Sequence, residues 1–503
     1  MVEKKKVVVF LPKPHKHDYH HAMPLSVLST TSLIDRSKFD VQVFSATDRY
    51  DFESRLLKHA KDAVCFSVSC LTGYQIQNAI DMIQKVRKAN PKLPIIWGGW
   101  HASILPQQTL ESKYADIVVI GQGERTFAEL TERLASGKSL RGLQGIAYKD
   151  QNKKIVFNKP RPFEDPNNFP PLPVDLINVE DFIDDRDELR ELVYITSQGC
   201  PFDCGFCAEP LVFKRMWKGL SAKRVGEDLQ KLVKKHDVGF VTFSDDNFFV
   251  SEKRVQEICK EIIKRNLNIK WGRVNGRTRQ LINMKKETWE LMRKSGCADI
   301  LVGAESGMQE GLDLINKMTS IEDTVKLIEL AREYDIEITP SLMVGLPFPS
   351  YKQAKSEAER NAITEKELNA ILDMLDQAYP TKDYFEVLLF VFTPYPGNPL
   401  FQKSIDLGFK PPKKLEEWAF FDIEQQNLPW ISDELYGKVQ QLMDFIFPYS
   451  CNKYLQRHAK GLKPIHWIFH KTALFRWKHR FFAFPIEHKL LMLFRNVRSI
   501  LRR

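Results

Sequence analysis

No stretch of the 503 residues approaches the uninterrupted apolar run that a membrane-spanning helix needs. There is no internal repeat and no low-complexity tract, and the ordinary apolar and charged content excludes globally disordered and collagen-like classes. The start, MVEKKKVVVFLP, is basic and then apolar for only six residues, with no small-residue cleavage site. It reads as a first β-strand and not as a secretory leader. The expectation is a cytoplasmic protein, in which thiols stay reduced. Charge of one sign is also scarce outside a single region. From Lys453 onward there are thirteen Lys/Arg and one acidic residue, a net of +12 against +10 for the whole chain, so the remainder carries −2. The basicity belongs to a tail, and a uniform nucleic-acid-binding surface is not implied.

Sequence of this length predicts two or three domains. Residues 1–145 alternate short β-branched runs (VVVFLP, VQVFSA, AVCFSVS, PIIWGG, DIVVIG) with amphipathic segments such as YQIQNAIDMIQKVRKA. This pattern predicts an α/β domain with a doubly wound parallel sheet, whose ligands bind beyond the carboxyl ends of the strands. Residues 146–190 are rich in Pro, Asp and Asn and read as a linker. In residues 191–405 the alternation returns with six strand candidates, LVYITS, FVTFSD, IKWGRV, DILVGAES, EITPSLMVG and FEVLLFVF. Six strands with intervening helices suit a partial barrel with its functional loops at one end. Residues 406–503 read as a helical C-terminal region ending in the cationic tail.

Of eight cysteines, five are scattered in apolar company and suit buried thiols. The other three, Cys200, Cys204 and Cys207, fall in SQGCPFDCGFCAEP directly after a strand. Three thiolates on one tight loop can each take one iron of a [4Fe–4S] cluster and leave the fourth iron open to a chelating substrate. Structural zinc usually has four closed ligands, and no fourth Cys or His lies nearby in sequence.

This loop, with Phe206 before its last cysteine, resembles that of the radical S-adenosylmethionine (SAM) superfamily, and the similarity runs strand by strand through residues 191–405. The resemblance implies SAM as a cofactor and external electron donors of the flavodoxin or ferredoxin type. It places Asp245 and Asp246 of FSDDNFF at the methionine amino group, where many members carry Gly-Gly-Glu, and leaves open which aspartate acts. Among Arg273, Arg277 and Arg279, Arg277 is the candidate for the methionine carboxylate, a role suited to a bidentate guanidinium. VGAESG places Glu305 and Ser306 at the ribose hydroxyls; MVGLPFPS and FTPYPGNPL resemble the fifth- and sixth-strand loops.

In the first domain, Ser69, Leu71 and Thr72 follow one strand, Gly98, Gly99 and His101 the next, and Gly121, Gly123 and Glu124 then precede a helix. Glycines at such turns allow close backbone approach, and helix N-termini favour anions; a plain packing turn is the alternative. Their order resembles the Rossmann-like cobalamin-binding domain fused ahead of radical cores. Asp18-x-His20 matches part of the cobalt-ligand signature, but Met23 stands where that signature has Gly, and His15, His17 and His21 crowd the same loop.

The expected activity is that of a cobalamin-dependent radical SAM enzyme. Reductive cleavage of SAM would give a 5′-deoxyadenosyl radical, and methylation of an unactivated carbon would follow. The alternatives are a radical cyclase or oxidoreductase of the porphyrin-ester cyclase type without methyl transfer, a non-catalytic cobalamin or cluster sensor, and an RNA methylthiotransferase, which lacks support for its additional cluster cysteines. The substrate is expected to be a small or lipid-like molecule. The interleaved aromatic and basic tail suits peripheral contact with the membrane inner face, with docking on the barrel and nucleic acid as the other options, the last disfavoured.

Overall fold

The structure, a computed structural model, describes residues 4–15, 22–48, 51–186, 189–382, 385–421, 428–451 and 463–501. The Asp18, His17, His20 and His21 cluster and the last two arginines lie outside them.

The first sheet has seven strands: β1 (Lys5–Leu11), β2 (Phe39–Ser45), β3 (Ala63–Ser69), β4 (Ile95–Gly98), β5 (Ile117–Val119), β6 (Ile146–Lys149) and β7 (Ile155–Phe157). Their order is β2-β1-β3-β4-β5-β6-β7. The first five pair in parallel, and β6 and β7 add antiparallel at one edge. Alternate side chains of a strand point to opposite faces. Val7 and Val9 therefore join Val41, Val43 and Ile117 in one core, and Val8 and Phe10 join Phe66, Val68 and Trp97 in another. Near-continuous apolar strands are what a sheet covered on both faces requires.

The Pro-rich stretch after residue 145 contributes β6 and β7 to this sheet, then three short 3-10 turns, then β8 (Asp184–Arg186). The strand β8 pairs antiparallel with β9 (Leu189–Tyr194). A small hairpin, β10 (Ser197–Gly199) with β11 (Trp217–Gly219), brackets the cysteine loop. Next come β12 (Phe240–Phe243), β13 (Lys270–Gly272), β14 (Val274–Gly276), β15 (Asp299–Glu305), β16 (Glu337–Val344) and β17 (Leu388–Val391). They form two four-stranded sheets, β13-β12-β9-β8 and β14-β15-β16-β17.

The break between those sheets falls inside one expected strand. Arg273 separates β13 from β14 with φ of 48°, and its N–H donates to the Asp299 carboxylate. Apart from the antiparallel β8, the result is six parallel strand positions, β9, β12, β13/β14, β15, β16 and β17, an open α/β barrel as the alternation predicted. The C-terminal region is helical, with Lys463–Lys478 and Ile486–Leu501 as its last two helices. No helix among the described residues is long and apolar enough to cross a membrane.

Candidate functional site

Parallel barrels gather their loops at the carboxyl ends of the strands, and here those ends enclose a cavity of about 400 Å³. Cys200, Cys204, Cys207, Phe206, Asp246, Arg277 and Glu305 all line it. The cysteine loop that follows β10 is clamped from two sides. Gly205 N–H donates to Ile315 O (2.8 Å) and Asn316 Nδ2 to Asp203 O (3.0 Å), both from the turn that follows β15. From the turn after β17, Asn398 Nδ2 donates to Phe206 O (2.8 Å), and Leu400 N–H to Gly205 O (3.2 Å). The sixth-strand sequence PGNPL is thus the brace of the cysteine loop.

The three thiols stand on the cavity wall, unlike the five buried cysteines elsewhere. Burial pushes the Cys200 thiol up and the Cys207 thiol to about 12. Arg277, by contrast, brings a guanidinium nitrogen to 2.6 Å from the Cys204 sulfur while lying 4.1 Å over the Phe202 ring. Three thiols on a cavity wall with a cation beside them suit metal ligands, which bind as thiolates. No group of three His, Cys, Asp or Glu among the described residues converges to hold a single metal ion. A cubane does not need such convergence, because each thiolate takes a separate iron. Glu209, two residues beyond Cys207, supports the same fit: it is 1 % exposed and neither carboxylate oxygen makes a well-formed hydrogen bond. Burial, then the charge of Asp246, raise it to about 8.

The paired aspartates separate. Asp245 is fully buried and accepts from Thr196 N–H (2.6 Å), Thr196 Oγ1 (2.5 Å) and Ser197 Oγ (2.6 Å), tying the end of β12 to the end of β9. It does not line the cavity, whereas Asp246 does. Asp246 lines the cavity and is exposed to it; the protein crowded around it, then Asp245, raise its carboxyl to about 6. Ser306 is corrected likewise. It is fully buried and its Oγ accepts from Met308 N–H (3.1 Å) in a turn, away from the cavity. Glu305 does reach the cavity, paired with the buried Lys317 at 2.7 Å across Gly303, where a Cβ would lie 2.2 Å from the Glu305 carboxylate. Arg273 and Arg279 are exposed, which leaves Arg277 as the arginine of the site.

In the first domain, the strand-end residues are mostly turned inward. His101 is 1 % exposed, its Nδ1 lies 3.0 Å from Thr72 Oγ1, and Trp418 packs edge-on at 5.9 Å. Burial lowers its pKa to about 3, so the ring is neutral, and Nε2 is buried without a partner. Gly99 at φ of 86° brings the backbone so near Cys70 that a Cβ would lie 2.6 Å from its N and O. The neighbouring Ser69 ends β3, whereas Leu71 is 49 % exposed. Gly121 and Glu124 face the junction, and Gly123 packs against Thr30 and Val119 within the first domain. The buried Glu124 accepts from Ser29 Oγ (2.6 Å) and Gln198 Nε2 (2.7 Å), and Gln122 donates to Gln198 (2.8 Å). The expected anion site at this helix start is therefore a joint to β10. Trp100, beside Gly98 and Gly99, is what the first domain sends into the barrel cavity.

Trp100, Glu209, Lys317 and Tyr395 were not foreseen. Glu209 alone carried a signal, a carboxylate within the cysteine loop itself.

Comparison with known families agrees with this geometry. The radical SAM superfamily matches residues 194–359, and the B12 binding domain matches residues 19–131. The chain is a radical SAM enzyme with a B12-binding domain ahead of its barrel. It is 27% identical over 391 residues to an uncharacterised methyltransferase of Pyrococcus horikoshii, covering 76% of this chain and 78% of that one. It is 29% identical over 357 residues to the anaerobic magnesium-protoporphyrin IX monomethyl ester cyclase of Rubrivivax gelatinosus, covering 70% and 59%. Among solved structures, the cobalamin-dependent S-adenosylmethionine radical enzyme OxsB superimposes with a TM-score of 0.70 at 16% identity, over 99% of this chain and 76% of that one. The radical S-adenosylmethionine methyltransferase TsrM from Kitasatospora setae gives 0.62 at 16%, over 80% and 75%. At these identities the structural likeness speaks for the fold.

Proposed function

We propose that this enzyme methylates an unactivated carbon of a small or lipid-like substrate. The observation that carries the reading is the one cavity wall shared by Cys200, Cys204, Cys207, Asp246, Arg277 and Glu305, closed by Trp100 from the B12-binding domain. When bound, the [4Fe–4S] cluster supplies the electron that cleaves SAM to a 5′-deoxyadenosyl radical, and cobalamin carries the methyl group.

The chain's own residues bind and orient. The three thiolates would each hold one iron of the cluster, and the Asn398 and Ile315 contacts keep their loop in register. Asp246 is placed to accept from the SAM amino group, Arg277 to pair with its carboxylate, and Glu305, held by Lys317, to accept from the ribose hydroxyls. Trp100, Phe206, Met343 and Phe390 add apolar surface to a wall that also carries Asn247, Asn275, Ser341 and Thr393, and they limit water beside the reacting atoms. Support for cobalamin comes from the matched B12-binding domain, and from the orphaned His101 Nε2 beside the glycine turn at Gly99. An external one-electron donor completes the requirement.

Anaerobic purification with cobalamin supplied, followed by iron and cobalt analysis, tests the proposal. About four irons and one cobalt per chain, with SAM cleavage on reduction, is the expected result. Iron without cobalt would leave the radical core and remove the methyl carrier. The similarity to the porphyrin-ester cyclase favours a second reading, ring formation without methyl transfer; methylated product together with 5′-deoxyadenosine decides against it.

A further inference from the structure

The chain keeps nine of its fourteen exposed large apolar side chains, counted among the described residues, between Ile465 and Leu493. Exposed apolar residues scattered singly are ordinary, but a concentration of them marks a contact surface. Seven of the nine lie on the helices Lys463–Lys478 and Ile486–Leu501, and Phe481 and Phe484 lie between them. Ala473 and Trp477 are buried, and Trp477 packs on Phe385 and Phe447 while donating to Asp376 (2.7 Å). Arg480 pairs with Asp373 and Asp376, and Arg476 locks the two helices together through Glu487 (2.7 Å). Internal docking is thus satisfied, and an apolar surface is still left over.

That surface has helical spacing and alternates with cations. On the first helix Ile468, Lys471, Phe475 and Lys478 are all exposed at intervals of three or four residues; on the second Ile486, Lys489, Leu490 and Leu493 repeat the pattern. Lys471, Lys478 and Lys489 have no acidic partner among the described residues, although the acids nearby have been taken by Arg476 and Arg480. Between the helices, Phe484 is 79 % exposed at φ of 50°, with Arg476 donating to its carbonyl (2.7 Å). A bulky side chain in the left-handed region and in water is unfavourable on both counts. Neither helix is long and apolar enough to span a bilayer.

We infer that this helical pair lies in the interface of an anionic lipid bilayer, with its aromatic and aliphatic side chains among the acyl boundary and its lysines at the head groups. Apolar stripes with interleaved, unpaired lysines suit that surface through buried area and charge together. A second copy of this chain would bring the same cations against each other, so charge complementarity selects the lipid. The membrane reading does not depend on the methyl-transfer proposal.

The test is co-sedimentation of the full-length protein with vesicles of mixed phosphatidylglycerol and phosphatidylcholine, and with phosphatidylcholine alone. Wild type should sediment with the anionic vesicles and largely remain in solution with the neutral ones. The triple variant Phe475→Glu, Phe484→Glu, Leu493→Glu and the triple variant Lys471→Glu, Lys478→Glu, Lys489→Glu should each lose more than about tenfold in partitioning. All six positions are exposed, so unchanged thermal stability and SAM cleavage in solution are expected and separate lost docking from lost folding. Wild type that stays in the supernatant, or either folded variant that binds as well as wild type, overturns the proposal. Wild type that dimerises without sedimenting, or that binds RNA but not vesicles, overturns it as well.

Discussion

The two α/β halves of this chain end their strands differently. At the barrel mouth the strand-end side chains face a cavity, and several lack protein partners that would satisfy them. Glu209 is buried without a well-formed hydrogen bond, Asp246 is raised to about 6, and three thiols stand on one wall. At the ends of the first sheet most of the comparable residues are spoken for, with the buried His101 Nε2 as the exception. Glu124 bonds to Ser29 and Gln198, Thr72 to His101, and Trp418 covers the imidazole. Unpaired buried polar groups are costly unless something else binds there, so Glu209 at the barrel mouth and His101 Nε2 in the first domain both point to bound groups, and the barrel mouth holds more of the cavity-facing side chains. The first sheet contributes its joint and one indole, Trp100.

Breaking the open half should have the largest effect. Single replacement of Cys200, Cys204 or Cys207 by Ala should take bound iron and SAM cleavage to background while leaving the fold intact. Iron content near wild type in any one variant would remove that cysteine from the ligand set.

The aspartates then sharpen the comparison inside the barrel, because one is closed and one open. Asp245→Ala strands the Thr196 N–H and two hydroxyls in a buried position, and should cost about 2–4 kcal/mol of stability. Asp246→Asn should leave Tm near wild type and weaken SAM binding by about tenfold or more, the loss of one charge-assisted hydrogen bond. Calorimetry of SAM binding beside thermal melts distinguishes them; equal Tm losses in both variants would mean that neither is free for a ligand.

Sequence pattern was enough for the α/β class, the six barrel strands and the cysteine loop, because apolar periodicity and close cysteine spacing are local signals. It was not enough for side-chain direction at a strand end. Asp245 and Asp246 are adjacent in sequence and point to opposite fates, one into the β9 terminus and one into the cavity. Ser306 sits beside Glu305, yet a turn to Met308 N–H takes it out of the site. Lys317 and Asn398 carried no local signal, since each matters only through a contact made by folding: with Glu305 twelve residues before it, and with Phe206 far upstream. The strands β6 (IAYK) and β7 (IVF) escaped notice because each is only three or four residues long, too short for a periodic signal.

The joint in the first sheet offers a smaller effect. Glu124→Ala removes the acceptor for both Ser29 and Gln198, and should cost about 1–3 kcal/mol. If the strand ends there served a ligand instead of the junction, the variant would keep its Tm and change cobalamin content, which the same melts and a cobalt assay would reveal.

A pH dependence is expected at a closed end within the barrel, small near pH 5 and growing as pH rises. Glu367, fully buried on the helix Glu357–Ala378, accepts from Gly345 N–H (2.6 Å) and so holds the loop after β16. Burial lifts its carboxyl from 4.5 to about 8. The folded state therefore binds this proton more tightly than the unfolded chain, and unfolding releases it between those values. Its contribution is fully present below about pH 4.5 and is lost as pH rises through about 8. Glu367→Gln keeps an acceptor for Gly345 and removes the titration. Wild type and variant should melt at similar temperatures near pH 5, and the variant should become the more stable of the two near pH 9. A Tm difference that stays constant across that range would mean that Glu367 is ionised in the fold, and that this strand end is held by a charge.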